Sequence, residues 1–401
     1  MWPGHPPARS HRHKRTDACA IIGVAALGLA VALTVVLLRA GSGAGSEAAA
    51  RSPARRDASR RGPHAISVVR AAAVGREVSV WLPYWSMAAA YDSAIANAGV
   101  VGTASPFWYT ISGDSRIEDD SGAGDPSVIG GLHARGIKVI PTVTESDDMQ
   151  EFDRLLASPP RRSAMVRALV TIARSRDYNG VNLDFEEFAL DRAHRAGPAD
   201  EAAALYPAFV GDVCRALHTI DRSCTVTVMA RTSAARVYWR NKLATWVYDY
   251  SALAEVADRV QIMAYDEHAP GTAPGPVAPF PWVEQVVHYT SATMPVDKVD
   301  LALAAYGYDW SRGQTSPITS RQAAELVVQT GASPSWNASQ AEETFHYTSH
   351  RRRYTVWYEN ARANYDRAIL AKAAGFAGVE VWYAGAEDPA VWPLLRGLYA
   401  R

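Results

Sequence analysis

The stretch Tyr178-Asn179-Gly180-Val181-Asn182-Leu183-Asp184-Phe185-Glu186-Glu187 alternates apolar residues with carboxamide and carboxylate residues and stops on two glutamates. Read as a strand, its side chains point to opposite faces in turn, so Asn182, Asp184 and Glu186 share one side while Val181, Leu183 and Phe185 share the other. On a half-exposed sheet this would be ordinary polar-out alternation. The flanks argue otherwise. Helix-like Ser163 to Ser175 precedes the stretch and Ala199 to His218 follows it, a βαβ setting whose sheet is covered on both faces. A carboxylate buried there without a partner costs several kcal/mol or takes up a proton, and a retained proton is what a general acid needs near neutral pH. Parity also separates the two glutamates. Glu186 shares a face with Asp184, whereas Glu187 points away and reads as a rim or salt-bridge residue.

Working outward, apolar strand-like runs recur at Val78 to Pro83, Gly102 to Tyr109, Lys138 to Val143, Gly180 to Phe185, Thr225 to Met229, Arg259 to Tyr265, Val299 to Ala305 and Gly378 to Trp382. Between most of them lie helical patterns: Ser127 to Arg135, Ser163 to Arg174, Ala199 to His218, Tyr248 to Ala257, Trp282 to Thr290 and Asn360 to Ala374. This alternation over residues 77–401 predicts an α/β fold, a (β/α)8 TIM barrel, which typically takes about 250 residues and grows by insertion. The longest connection, 311–355, carries helix-like Ser320 to Thr330 and strand-like Glu343 to Tyr347 and Tyr354 to Tyr358. It predicts a small α+β insertion between strands seven and eight that deepens one wall of a cleft. Catalytic groups of such a barrel sit at the carboxyl ends of its strands, where this assignment puts Glu186, Asp266, Asp309 and Trp382.

The quoted stretch resembles the glycoside hydrolase family 18 signature DGxDxDxE. Asn179-Gly180 stands in the place of Asp-Gly, Asn182 in the place of the middle Asp, and Asp184 and Glu186 match outright. The wording GVNLDFE is similar to that of the bacterial spore-cortex-lytic and germination-type N-acetylglucosaminidases. Further matches follow in order. Val260 to His268 resembles the strand-six MxYD element, Ala269 to Pro279 the loop after it, Leu301 to Trp310 the strand-seven element, and Val356 to Asn360 with Gly378 to Tyr383 the closing segments. The resemblance covers roughly residues 77 to 400.

That resemblance implies substrate-assisted, retaining cleavage of β-linked N-acetylglucosamine, in which the sugar's own acetamido oxygen attacks the anomeric carbon. On it, Glu186 is the acid and base, Asp184 orients the acetamido N–H, and Tyr265 hydrogen-bonds the acetamido oxygen. Asp266 binds the distorted sugar and Trp382 floors it. Asn182 belongs to the same catalytic strand, and Tyr84, Tyr306 and Trp310 join the substrate-binding set. Trp85, Trp108, Tyr109 and Trp357 are divided between sugar stacking and core. Each role has a plainer competitor: Tyr265-Asp266 as a strand-end cap, Trp382 as barrel filling, Asn182 as a hydrogen-bonding spacer.

Other chemistries find little support. Gly41 to Ser46 lacks the preceding strand and closing Lys-Ser or Lys-Thr of a phosphate-binding loop and reads as linker. There is no CxxC, no HExxH and no histidine cluster, so neither a metal nor another cofactor is expected, and His268 reads as a loop or subsite residue. A formal net charge of +0 offers nothing to nucleic acid.

The head sets the expected location. A basic tail at 1–17, with Arg9, Arg12, Lys14 and Arg15, leads into an uncharged apolar run at 18–38, long enough for a bilayer-spanning signal anchor. An Ala/Gly/Ser/Arg/Pro-rich linker follows at 39–76. The expectation is a single-pass protein with its catalytic domain extracellular, or a secreted one if the segment is cleaved. Of the cysteines, Cys19 sits in the apolar run and Cys214 and Cys224 flank a helix-to-strand turn, where pairing is open. The expected partner is a polysaccharide, peptidoglycan ahead of chitin, met by a membrane-held monomer. The competing readings are a chitinase, an N-glycan endoglycosidase and a sugar-binding barrel without turnover.

Overall fold

The computed structural model describes residues 77–112, 116–145, 149–189, 198–236 and 244–399. The expected tail 1–17, membrane run 18–38, linker 39–76 and Cys19 lie outside the described residues. Among the described residues, no helix is long and apolar enough to cross a membrane.

Parallel strands Glu77–Pro83, Val101–Ile111, Thr142–Glu145, Gly180–Asp184, Ser223–Met229, Arg259–Met263, Val299–Ala304 and Gly378–Trp382 pair in that order, and the last pairs with the first, closing an eight-stranded barrel. Every expected strand run falls on one of these. The third is split, with Lys138–Val139 pairing first, because Pro141 offers no N–H to the ladder. Helices alternate with the strands. Several carry their own start signals: Asp125 accepts from the Ser127 N–H at 2.8 Å before helix Pro126–His133, and Asn360 accepts from the Ala363 N–H at 3.0 Å before Ala361–Ala373. Helices Met87–Ala96, Met149–Ala157 and Val391–Tyr399 add to those read from the sequence.

Gly180 opens strand four because nothing larger fits: a Cβ there would lie 2.4 Å from the Ser223 carbonyl oxygen of strand five. Asn179, just before it, accepts the Val139 N–H at 2.7 Å and meets His133 Nε2 at 3.0 Å, so it ties strand three to the helix above it. Cys214 on helix Pro198–His218 and Cys224 on strand Ser223–Met229 form a disulfide with Cα atoms 5.1 Å apart.

The insertion starts earlier and ends later than 311–355. Its antiparallel sheet runs in the order Gln314–Thr319, Tyr306–Ser311, Arg352–Tyr358, Glu342–Ser349, Ser335–Asn337. Tyr306 to Trp310 looks like more of barrel strand seven because the alternation continues without a break. The backbone turns at Ala305, whose N–H still reaches the Trp382 carbonyl at 2.7 Å, and the next residues leave the barrel. Helix Ser320–Thr330 covers one face of this sheet over a second small core of Ile318, Ala323, Phe345, Val356 and Tyr358, while Tyr308, Trp310 and Trp357 on the other face pack against the main core.

A buried clamp holds the insertion to the barrel. Arg367 pairs with Glu359 at 2.8 Å and with Glu342 at 3.7 Å, and donates to the carbonyls of Ala278 and Ala341. Glu342 in turn accepts the N–H groups of Val277 and Ala278 at 2.7 and 3.1 Å, fixing the loop that follows strand six.

Candidate active site

Strand four brings the alternation of the sequence into the barrel axis. Asn182 donates to Thr142 Oγ1 at 3.2 Å, and the one hydroxyl proton of Thr227 is shared between Asn182 Oδ1 at 3.1 Å and Gln261 Oε1 at 2.9 Å. Strands three to six thus share an inward polar belt, and both ends of the Asn182 amide are occupied by it. A carboxylate at 182 would lose the donor that Thr142 now accepts. Phe185 points the other way, its ring 4.9 Å from Phe152 and 6.3 Å from Phe209 under the covering helices.

Asp184 lies one pleat above Asn182 toward the strand's carboxyl end and is buried. Burial pushes its carboxyl well above the usual range, and a hydrogen bond with the half-buried Glu186 pulls it part of the way back. Asp184 Oδ1 meets no hydrogen-bond partner among the described residues. Tyr265, two residues past strand six, is buried next to this pair. Its hydroxyl is pushed far up by burial first, then by the charges of Glu186, Asp184, Asp266 and Glu380. The structure therefore brings Asn182, Asp184, Glu186 and Tyr265 together.

Asp266 adopts a left-handed backbone, φ 67°, a conformation that costs a non-glycine residue of order 1 kcal/mol. In it, Asp266 Oδ1 accepts from Tyr306 at 2.5 Å and from Tyr308 at 2.9 Å, so the insertion's first strand grips the mouth of strand six. The strain and both hydroxyls are directed at one carboxylate. Trp382 is buried at the end of strand eight, its ring 4.9 Å from Phe107 and 5.4 Å from Trp81, before a cis Trp382–Tyr383 peptide. Tyr84, half-buried at the end of strand one, packs edge-on against Trp85 at 5.0 Å, and Trp85 lies 6.4 Å from Trp382.

Other candidates separate from this group. Trp310 is buried further along the insertion, packed edge-on against Tyr308 with ring centroids 5.5 Å apart. Asp309 is not at a barrel strand end: parity turns it away from Tyr308, and on the helix-covered face it accepts from Tyr347 at 2.6 Å. Trp108 and Tyr109 are core, the latter bonded to the Tyr178 hydroxyl at 2.8 Å. His268 faces the Ala273 carbonyl at 3.1 Å within its own loop. Among the described residues, no cluster of His, Cys, Asp and Glu could hold a metal.

Two acids escaped the sequence reading. Glu380 shares the inward face with Trp382, two residues on. Its carboxyl is driven far up by burial and then by Asp300 and Asp184, with Arg259 and Ser105 offsetting only part. The parity of Gly378 to Trp382 carried that signal. Glu145, the last residue of strand three, faces the helical layer and accepts the Phe188 N–H at 2.9 Å. Burial raises it to about 8, with Glu187 and Asp184 adding to the rise. The Tyr248 hydroxyl donates to the Phe185 carbonyl at 2.8 Å, and the Ala244 N–H to the Ala189 carbonyl at 2.9 Å. The turn carrying Glu186 is thus fastened from three sides. Glu145 left no sequence signal because only the helices that cover it make it buried.

Comparison with known proteins agrees with this fold. The family model for glycosyl hydrolases family 18 matches residues 129–387. The chain is 30% identical over 260 residues to the uncharacterized glycosylase YvbX of Bacillus subtilis, covering 63% of this chain and 72% of that one. It is 26% identical to the cortical fragment-lytic enzyme of the same organism over 61% of this chain, and spans only 56% of that relative's length. Among solved structures, a chitinase from Chromobacterium violaceum superimposes with a TM-score of 0.72 at 27% identity, over 82% of this chain and 100% of the other. The spore cortex-lytic enzyme SleL of Bacillus megaterium shares the fold with a TM-score of 0.69 at 19% identity, over 80% and 73%. The chain belongs to the glycosyl hydrolases of family 18, beside the cortex-lytic and sporulation-type members.

Proposed function

We propose that this hydrolase cleaves the bond following N-acetylglucosamine in peptidoglycan, with Glu186 as acid and base and the substrate's acetamido oxygen as nucleophile. The observation that carries the reading is the Asp184–Glu186 hydrogen bond at the mouth of strand four, with Tyr265 at its side. Glu186 gives its proton to the glycosidic oxygen as the C–O bond breaks. The acetamido oxygen closes on the anomeric carbon, while Asp184 accepts the acetamido N–H and stabilises the positive charge that develops there. Water, deprotonated by Glu186, then opens the ring intermediate with retention. Asp266, held by Tyr306 and Tyr308, takes a sugar hydroxyl, Trp382 carries the apolar ring face, and Tyr84 and Trp310 lie further along the chain of sugars.

Peptidoglycan stands first because a relative is named for lysis of cortical fragments, and because residues 18–38 and 39–76 suit a tether that carries the domain to the wall. Chitin is the second reading, supported by the likeness to the Chromobacterium violaceum chitinase. Incubating the full-length protein with purified peptidoglycan and with chitooligosaccharides, and identifying new reducing ends by mass spectrometry, separates them. New N-acetylglucosamine ends on peptidoglycan support the proposal, and N-acetylmuramic acid ends reject it. Glu186→Gln should lower turnover by a factor of about a hundred to ten thousand, and a variant retaining a tenth of the activity rejects Glu186 as the acid.

A further inference from the structure

The barrel-facing side of the insertion sheet carries a track of side chains that starts in the core, with Tyr308 and Trp310 buried, and ends at solvent. Register places Tyr308 beside Trp357, then Trp310 beside Thr355 and His346, then Arg353 beside Thr348 on the same face, with the Arg312-Gly313 turn at the end of the neighbouring strand. Tyr308 touches Asp266 at the catalytic mouth. Four residues of strand carry the track roughly 13 Å from there to Arg312. That far end gathers Arg312, His350, Arg351, Arg352 and Arg353 on two adjacent turns, all exposed.

None of the ion pairs among the described residues involves these arginines. The acids of the sheet are engaged elsewhere: Asp309 with Tyr347 on the opposite face, Glu343 with Asn360 at the barrel end, Glu342 in the clamp. Four permanent positive charges without counter-charge, in a protein whose formal net charge is +0, make a local anion-attracting field. Guanidinium forks match carboxylates and phosphates alike in pairs of hydrogen bonds, and of the two it is carboxylates that the stem peptides of peptidoglycan carry.

We propose that this basic end of the insertion binds the carboxylates of peptidoglycan stem peptides, holding the polymer that Glu186 cleaves. The inference rests on the peptidoglycan reading above and deepens it. Its test uses full-length protein carrying Glu186→Gln, with and without Arg351→Gln, Arg352→Gln and Arg353→Gln together. Each is co-sedimented with sacculi stripped of phosphate polymers, with unstripped sacculi and with neutral chitin, at low and at physiological salt.

The triple substitution should weaken binding to stripped sacculi about tenfold at low salt, less at physiological salt, and leave chitin binding unchanged. Equal binding of both proteins to stripped sacculi, an equal loss on chitin, or a loss confined to unstripped sacculi each overturns the assignment. Thermal unfolding of the triple variant checks that it is folded. The catalytic reading is tested separately, by turnover with Glu186 intact, so a failure there leaves the binding result to be judged alone.

Discussion

Replacing Glu145 by Gln should make the protein more stable in mild alkali than in mild acid, relative to the parent. The residue is 7% exposed, and burial with Glu187 and Asp184 nearby moves its carboxyl from 4.5 to about 8. Its folded-state value lies above its unfolded one, so its contribution is intact below about 4.5 and lost as pH climbs to about 8. At 1.36 kcal/mol per pH unit, the gap of 8 minus 4.5 corresponds to roughly 5 kcal/mol. Gln keeps an oxygen for the Phe188 N–H and carries no proton to lose. The groups that face it are Asp184, Glu187, Tyr206 and Tyr248. The tyrosines are pushed far up by burial and stay neutral throughout. Urea unfolding of both proteins at pH 5, 6.5 and 8 gives the test. The difference in unfolding free energy should grow in favour of the variant by about 1.4 kcal/mol for each pH unit. A difference that stays flat across the three values refutes the placement of Glu145 as a buried acid.

Removing the disulfide through Cys214→Ser and Cys224→Ser, across a separation of 10 residues, should cost about 3 kcal/mol in denaturant unfolding, an effect that reductant reproduces on the parent. Arg367→Met strands two buried glutamates and should cost about 3–5 kcal/mol, with the loss partly relieved at low pH as Glu342 and Glu359, both raised by burial, take up protons. Tyr308→Phe removes one of two hydroxyls on Asp266. It should cost about 1 kcal/mol of stability and raise KM several-fold on chitooligosaccharides, and an unchanged KM would detach Asp266 from substrate.

The barrel was legible because apolar or alternating strand-like runs recur between helical patterns, and strand four was legible to the single residue. Val181, Leu183 and Phe185 face the helices while Asn182 and Asp184 face the axis, as alternation requires. Where alternation continues through a change of partner, it misleads. Tyr306 to Trp310 keeps the period of strand seven yet pairs with Arg352–Tyr358, and Asp309 went to the wrong face of the site in consequence. Helix Met87–Ala96 was missed because an alanine-rich segment shows little periodic contrast. Glu145 and Tyr248 act through the backbone around Glu186, and contacts of that kind depend on chain segments far apart in sequence.

The insertion possesses its own small interior and joins the barrel at two nearby points, which makes it exchangeable as a unit. A graft that swaps it for another wall would, however, carry away Tyr306 and Tyr308 and deprive Asp266, in its costly backbone shape, of both of these hydroxyls. Variation of substrate range by recombination is therefore constrained at its first strand and free at its tips. Hybrids that retain the opening Tyr-Gly-Tyr and diversify only the far turns should keep a working mouth.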